Sequence, residues 1–279
     1  MKRVSFRQQL VFFLALDLLF VLVAVVLIVT LTHVFAHSSP DTMELSFVEG
    51  SGDVVLLELS KQYSWVSLSK VRGLWLGEHS GSPKGTLWPC DEKKVATLLD
   101  ELSATFSAHK IADGSSSWRG FELSERTCVK IKVRQEGREA VSWRFSPQST
   151  QHTLIFRTPA AQTVWETGSA AGEFLVAEAD FWADPYAIPS FASVGENAAA
   201  IKRGELFCLM PASHLVPTAV HEVHFAGGIS ATFAVYNKDD EYVVRASFSC
   251  PTFPELDLVS YGYMMDERGL DALLEEIAR

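Results

Sequence analysis

Lysine and arginine are missing from residues 8–60 of this 279-residue chain; Arg7 precedes the gap and Lys61 ends it. Basic residues are the minority throughout, 24 against 34 acidic, for a formal net charge of −10. Setting aside the first 37 residues, which hold Lys2, Arg3, Arg7 and Asp17, leaves 21 basic and 33 acidic residues. Phosphate backbones repel such a surface, so nucleic acid is not an expected partner. None of the four cysteines forms a CxxC pair, which removes the common zinc-ribbon and redox motifs. The metalloprotease motif, two histidines four residues apart with a glutamate after the first, is missing too, and so is a phosphate-binding glycine loop.

What is present begins with a long apolar run, Leu10 to Phe35, whose one acidic or basic charge is Asp17. About 20 apolar residues suffice to cross a bilayer core of about 30 Å. Lys2, Arg3 and Arg7 lie before the run and no basic residue follows until Lys61. The positive-inside rule then puts the N-terminus in the cytoplasm and the rest on the periplasmic side of a bacterial inner membrane. A cleaved signal peptide is the alternative, since Val34 and Ala36 have small-residue spacing, but an h-region is usually about 7–15 residues. Asp17 is read either as tolerated near the interface or as a contact to a partner membrane helix.

Hydrophobic residues make up 48% of the chain, which excludes general disorder. Two segments match: DEKKVATLLDELSA at 91–104 and DERGLDALLEEIAR at 266–279. Val95, Leu98, Leu99 and Leu102 share one helical face, and Leu270, Leu273, Leu274 and Ile277 repeat the spacing. Asp91 (or Cys90) and Asp266 stand where N-caps belong. Short strands precede each helix: Val54–Leu59, Tyr63–Leu68 and Gly73–Leu76 in the first half, then Glu222–Ala226, Ser230–Tyr236 and Tyr242–Ser249 in the second. Cys128–Arg134, Ala140–Phe145 and Thr153–Arg157 add strands between them. The reading is α+β: an N-terminal transmembrane helix, then two related lobes of antiparallel sheet, each with a packed helix. Its boundaries are a cytoplasmic tail 1–9, an anchor 10–35, a linker 36–52, a first lobe 53–180 and a second lobe 181–279.

This order of features resembles the bacterial family called domain of unknown function 4340. The features are the anchor, the early strand pair, Gly73-Leu74-Trp75-Leu76, the helix at 91–104, Phe181-Trp182-Ala183-Asp184 and the terminal helix. Residues 107–127 depart from its pattern. The resemblance implies a membrane-anchored protein, encoded beside ABC-type transport components such as those linked to gliding motility. It carries no catalytic residues.

Candidate chemistry is sparse. His221 and His224 are three apart on a strand, so alternation sends them to opposite faces. His79 sits in a glycine-rich loop, Gly77 to Gly85, without phosphate-loop spacing. Carboxylate pairs such as Asp239-Asp240 occupy turns. No metal or cofactor is expected. Cys90–Cys128 and Cys208–Cys250 are the simplest disulfide guess, with buried free thiols as the alternative. Phe181, Trp182 and Tyr186 cluster beside prolines, either tucked over the core or presented to a partner. The expected function is a non-enzymatic, extracytoplasmic accessory subunit of an ABC-type transporter. The alternatives are an envelope-polymer-binding structural protein and a periplasmic hydrolase using His79 or His221.

Overall fold

Turn geometry shapes the first hairpins. Gln62, at φ 51°, lies between β2 (Val54–Lys61) and β3 (Ser64–Val71). Arg72 and Gly73, both at positive φ, turn β3 into β4 (Leu74–His79), the conformation that suits the twist of a two-residue hairpin. A two-residue β5 (Trp88–Pro89) closes this meander. The computed structural model describes residues 42–82, 86–192, 201–207, 216–238 and 241–278, with Phe20, Val21, Val23 and Val25.

A second meander runs through β7 (Val129–Gln135), β8 (Val141–Phe145), β9 (Leu154–Arg157) and β10 (Val164–Thr167). It joins the first by pairing β7 with β2. With β1 (Thr42–Leu45) and β6 (Phe106–Ala112), one antiparallel sheet of ten strands results, in the order β1-β6-β10-β9-β8-β7-β2-β3-β4-β5. Helix α1 (Glu92–Ser103) carries the chain from β5, at one end of that order, to β6 near the other. Asp91 caps it through the N–H groups of Lys93 and Lys94, and Val95, Leu98, Leu99 and Leu102 are buried. The Leu102 carbonyl, left open at the helix end, accepts from the N–H groups of Phe47 and Val48. Phe47 in turn packs against Phe106, Trp143, Phe145 and Phe156.

The five-stranded antiparallel sheet has the order β11-β15-β14-β13-β12. Its strands are β11 (Leu206–Phe207), β12 (Ala219–His224), β13 (Ser230–Lys238), β14 (Glu241–Ser249) and β15 (Ser260–Met265). A four-residue helix, α2 (Ala179–Trp182), precedes it and α3 (Glu267–Ile277) follows, capped by Asp266. One continuous core runs from Phe47 to Leu273. The described residues from Thr42 onward belong to one compact unit.

Two expectations are corrected. The fold is mostly β, not α+β with two related lobes. Strands read as lying between the two matching helices are the second meander of the first sheet, and the two sheets differ in strand number and order. Residues 42–48, read as linker, supply β1 together with the core residues Phe47 and Val48. The single-pass inner-membrane anchor is the second correction, since no helix among the described residues is long and apolar enough to cross a membrane. The longest, α1, has 12 residues and so extends about 18 Å, against a hydrocarbon core of about 30 Å. Asp17 and most of 10–35 lie outside the described residues.

Candidate functional site

The aromatic loop is built into the core. Trp182 is 0% exposed, and its indole N–H donates to the Val176 carbonyl at 2.7 Å. Phe174, Phe181 and Trp182 pack against one another. The Lys94 ammonium lies 4.5 Å from the centre of the Phe181 ring and donates to the Phe181 carbonyl at 2.7 Å. Tyr186 is half-buried, bridged to Lys202. Of the three residues read as a contact loop, Trp182 therefore offers no ring to a partner.

The backbone beside them is a clasp. Asp91 N–H donates to the Trp182 carbonyl, and Asp184 N–H to that of Pro89. The buried Asp184 carboxylate accepts from the N–H groups of Tyr186 and Ser190. Burial pushes its pKa up, and those hydrogen bonds only partly offset this. Arg203 donates to the Asp184 carbonyl and pairs with Asp180 at 2.8 Å. Tyr263 OH reaches the Ala187 carbonyl. Every polar group in this set is used to hold 180–192 in place.

His79 has the closest arrangement to a catalytic pair. Its Nδ1 lies 2.6 Å from Ser82 Oγ, and it also accepts the Trp88 indole N–H at 3.2 Å. The lone pair a general base would use on Ser82 is thus shared with the indole. Burial lowers the His79 pKa, with Asp180 and Glu78 opposing. On β12, His221 is half-buried and His224 exposed, on opposite faces. His224 Nδ1 is 2.9 Å from Ser230 Oγ, and His221 Nε2 is buried without a hydrogen-bond partner. Among the described residues no three His, Cys, Asp or Glu side chains are grouped to hold a metal ion.

Cys90, Cys128 and Cys250 are free and buried, and Cys208 lies outside the described residues. Cys90 belongs to the main core, whereas Cys128 sits in a separate small cluster with Leu123, Ile155 and Val164. Burial, with Glu92, Asp184 and Asp91 nearby, pushes the Cys90 thiol well up, so it stays protonated.

The densest charge cluster was not visible in the sequence. Lys130 on β7 stands opposite Arg144 on β8, which stands opposite Arg157 on β9. Three cations thus form a row on one face of the sheet. Glu125, from the loop before β7, touches all three, at 2.9, 3.0 and 2.9 Å. Burial by itself would raise the Glu125 pKa, but the hydrogen bonds from Lys130, Arg144 and Arg157 outweigh it and hold it at about 2. Arg157 is 1% exposed because the same loop folds over it. Its guanidinium donates to the Leu123, Thr158 and Pro159 carbonyls and stacks 3.8 Å from the Trp118 ring centre. Lys130, Lys132 and Arg134 alternate with Val129, Ile131 and Val133 along β7, but only the strand register brings in Arg144 and Arg157. Compared with protein-family models, curated proteins and solved structures, the chain matches none.

Proposed function

We propose that this chain works by binding rather than by catalysis, as a non-enzymatic accessory protein whose partner is another protein. The observation that carries this reading is an exposed aromatic and arginine surface at the β2–β3 hairpin. Tyr63 is 89% exposed at the turn, and Trp65 is exposed two residues on. Arg119 and Arg126 share a cleft with Tyr63. Tyrosine, tryptophan and arginine are the residues that most often anchor protein interfaces. The partner we favour is a component of an ABC-type transport system, the class that the sequence's resemblance to domain of unknown function 4340 implies. The hydrolase alternative is weakened by the shared lone pair of His79.

A photo-reactive benzoyl-phenylalanine in place of Tyr63, in the intact chain and in its native cells, tests this reading. Ultraviolet light should give a discrete adduct whose second protein is identified by mass spectrometry as a transport component. The same probe at exposed Val141 should give none. Equal adducts at both positions, or none at Tyr63, would overturn the reading.

A further inference from the structure

The loop between β6 and β7 covers the outer face of the ten-stranded sheet and makes a small core of its own. Leu123, Cys128, Ile155 and Val164 are buried there, with Trp118 and Phe121 packed around them. Arg157 staples this loop to β9 through Leu123, Trp118 and Glu125. The staple leaves a preformed wall opposite the β2–β3 hairpin tip. Between them lies a cleft of about 600 Å³, with Gln62 and Tyr63 on one side, and Arg119 and Ser124 to Thr127 on the other.

The cleft is basic on an acidic protein. Its lining holds Arg119 and Arg126 against Glu125, which is itself bonded to Lys130, Arg144 and Arg157, in a chain whose net charge is −10. Glu125 is already neutralised by three cations. Arg119 and Arg126 are exposed and have no ion-pair partner among the described residues. Guanidinium forks without partners are matched to carboxylate and phosphate oxygens. A compact phosphate is commonly cradled by converging backbone N–H groups. Here the N–H groups of Gly120, Glu122, Leu123, Thr127 and Cys128 already donate to carbonyls of their own loop. The Thr127 hydroxyl likewise donates to the Glu122 carbonyl. The side chains left for a ligand are two separate arginine forks and a tyrosine ring, which suit spaced carboxylates on an extended chain.

We infer that the cleft between the β2–β3 hairpin and residues 119–127 binds an acidic peptide segment, with Arg119 and Arg126 receiving its carboxylates and Tyr63 packing on its backbone or side-chain stems. The inference deepens the proposed function and rests on its reading of the partner as a protein. Because the arginine-stapled wall is already in place, binding orders only the peptide and few protein side chains. Attraction between exposed charges is screened, so affinity falls as salt rises.

A fluorescein-labelled hexaglutamate peptide titrated with the intact chain at low salt reads this directly by anisotropy. The wild-type chain should bind it despite its own negative charge. The double variant R119A/R126A, with its thermal melt unchanged, should bind at least tenfold more weakly, and Tyr63→Ala several-fold more weakly. Arg134→Ala, an exposed arginine on β7 lining another cleft, should bind like the wild type. Inorganic phosphate at matched charge should not displace the peptide. No wild-type binding, an equal loss with Arg134→Ala, or displacement by phosphate each overturns the inference. Moving the Tyr63 photo-probe into R119A/R126A separates the two readings. If the peptide fails to bind while the adduct persists, the acidic-segment inference falls and the partner reading stands. If the peptide binds and the wild-type probe gives no adduct, the partner reading falls instead.

Discussion

Lys130 and Arg144 stand directly opposite each other on β7 and β8, two like charges in the position where a cross-strand pair is normally unfavourable. Glu125 reverses the sign of that contact by bonding to both, and to Arg157 beyond them. The carboxylate therefore offsets the repulsion along the row.

Replacing that carboxylate, Glu125→Gln, should lower stability by about 1–2 kcal/mol at pH 7. The figure is below that for a fully buried pair because the Glu125 side chain is 53% exposed. The gap should depend on pH. The carboxyl titrates at about 2 when folded and near 4.5 when free, so its stabilisation is complete above about 4.5 and lost as pH falls toward 2. Urea midpoints of both proteins at pH 7, 4 and 2.5 check this. A gap that is constant across that range would show the hydrogen bonds to act independently of charge.

Gly77→Ala should cost about 2 kcal/mol. Gly77 pairs with Trp88 across β4 and β5, and a methyl group there would enter the space of the Trp88 ring, which is fully buried. The ring or the strand must move, which is the usual penalty of overpacking. Tryptophan fluorescence should shift along with the lowered melting temperature. An unshifted spectrum at wild-type stability would mean that the strand yields freely.

Asp266→Ala removes the acceptor for Gly269 N–H, which is 2.7 Å from the carboxylate. A lost N-cap typically costs about 1 kcal/mol. Asp266→Asn should restore most of it, because an amide oxygen accepts the same bond. Denaturation midpoints of the three proteins give the order, and equal losses for Ala and Asn would point to the charge instead.

Cys90 and Cys128 should both carry free thiols. They occupy different apolar clusters, so no disulfide joins them. Non-reducing peptide mapping should find no Cys90–Cys128 link. Alkylation of Cys90 should be slow in the folded protein and fast in urea, because burial keeps that thiol protonated.

The helices were legible because their signals are local. Asp91 and Asp266 cap them, and their apolar residues recur at helical spacing. The hairpins were legible for the same reason, through turns and alternation. The pairing of β2 with β7 was not, because nothing in either strand names a partner some 70 residues away. That one seam joins the two meanders within the ten-stranded sheet. Phe181, Trp182 and Tyr186 misled in another way, since an aromatic cluster reads alike whether it faces inward or outward. The loop from Trp118 to Thr127 has no periodicity, and its role emerges only once Arg157 is seen beneath it.

The β2–β7 seam also sets a clock on synthesis. β2 is complete at Lys61, but its neighbour is not complete until Gln135. At about 5–20 residues per second, the first meander waits roughly 4–15 s with β2 as a bare edge. Exposed strand edges invite pairing with other chains, and non-local pairing is slow even when both strands are present. A ribosome that stalls within this interval therefore releases a nascent chain in which β2, paired with β3 on one side, still has its other edge open.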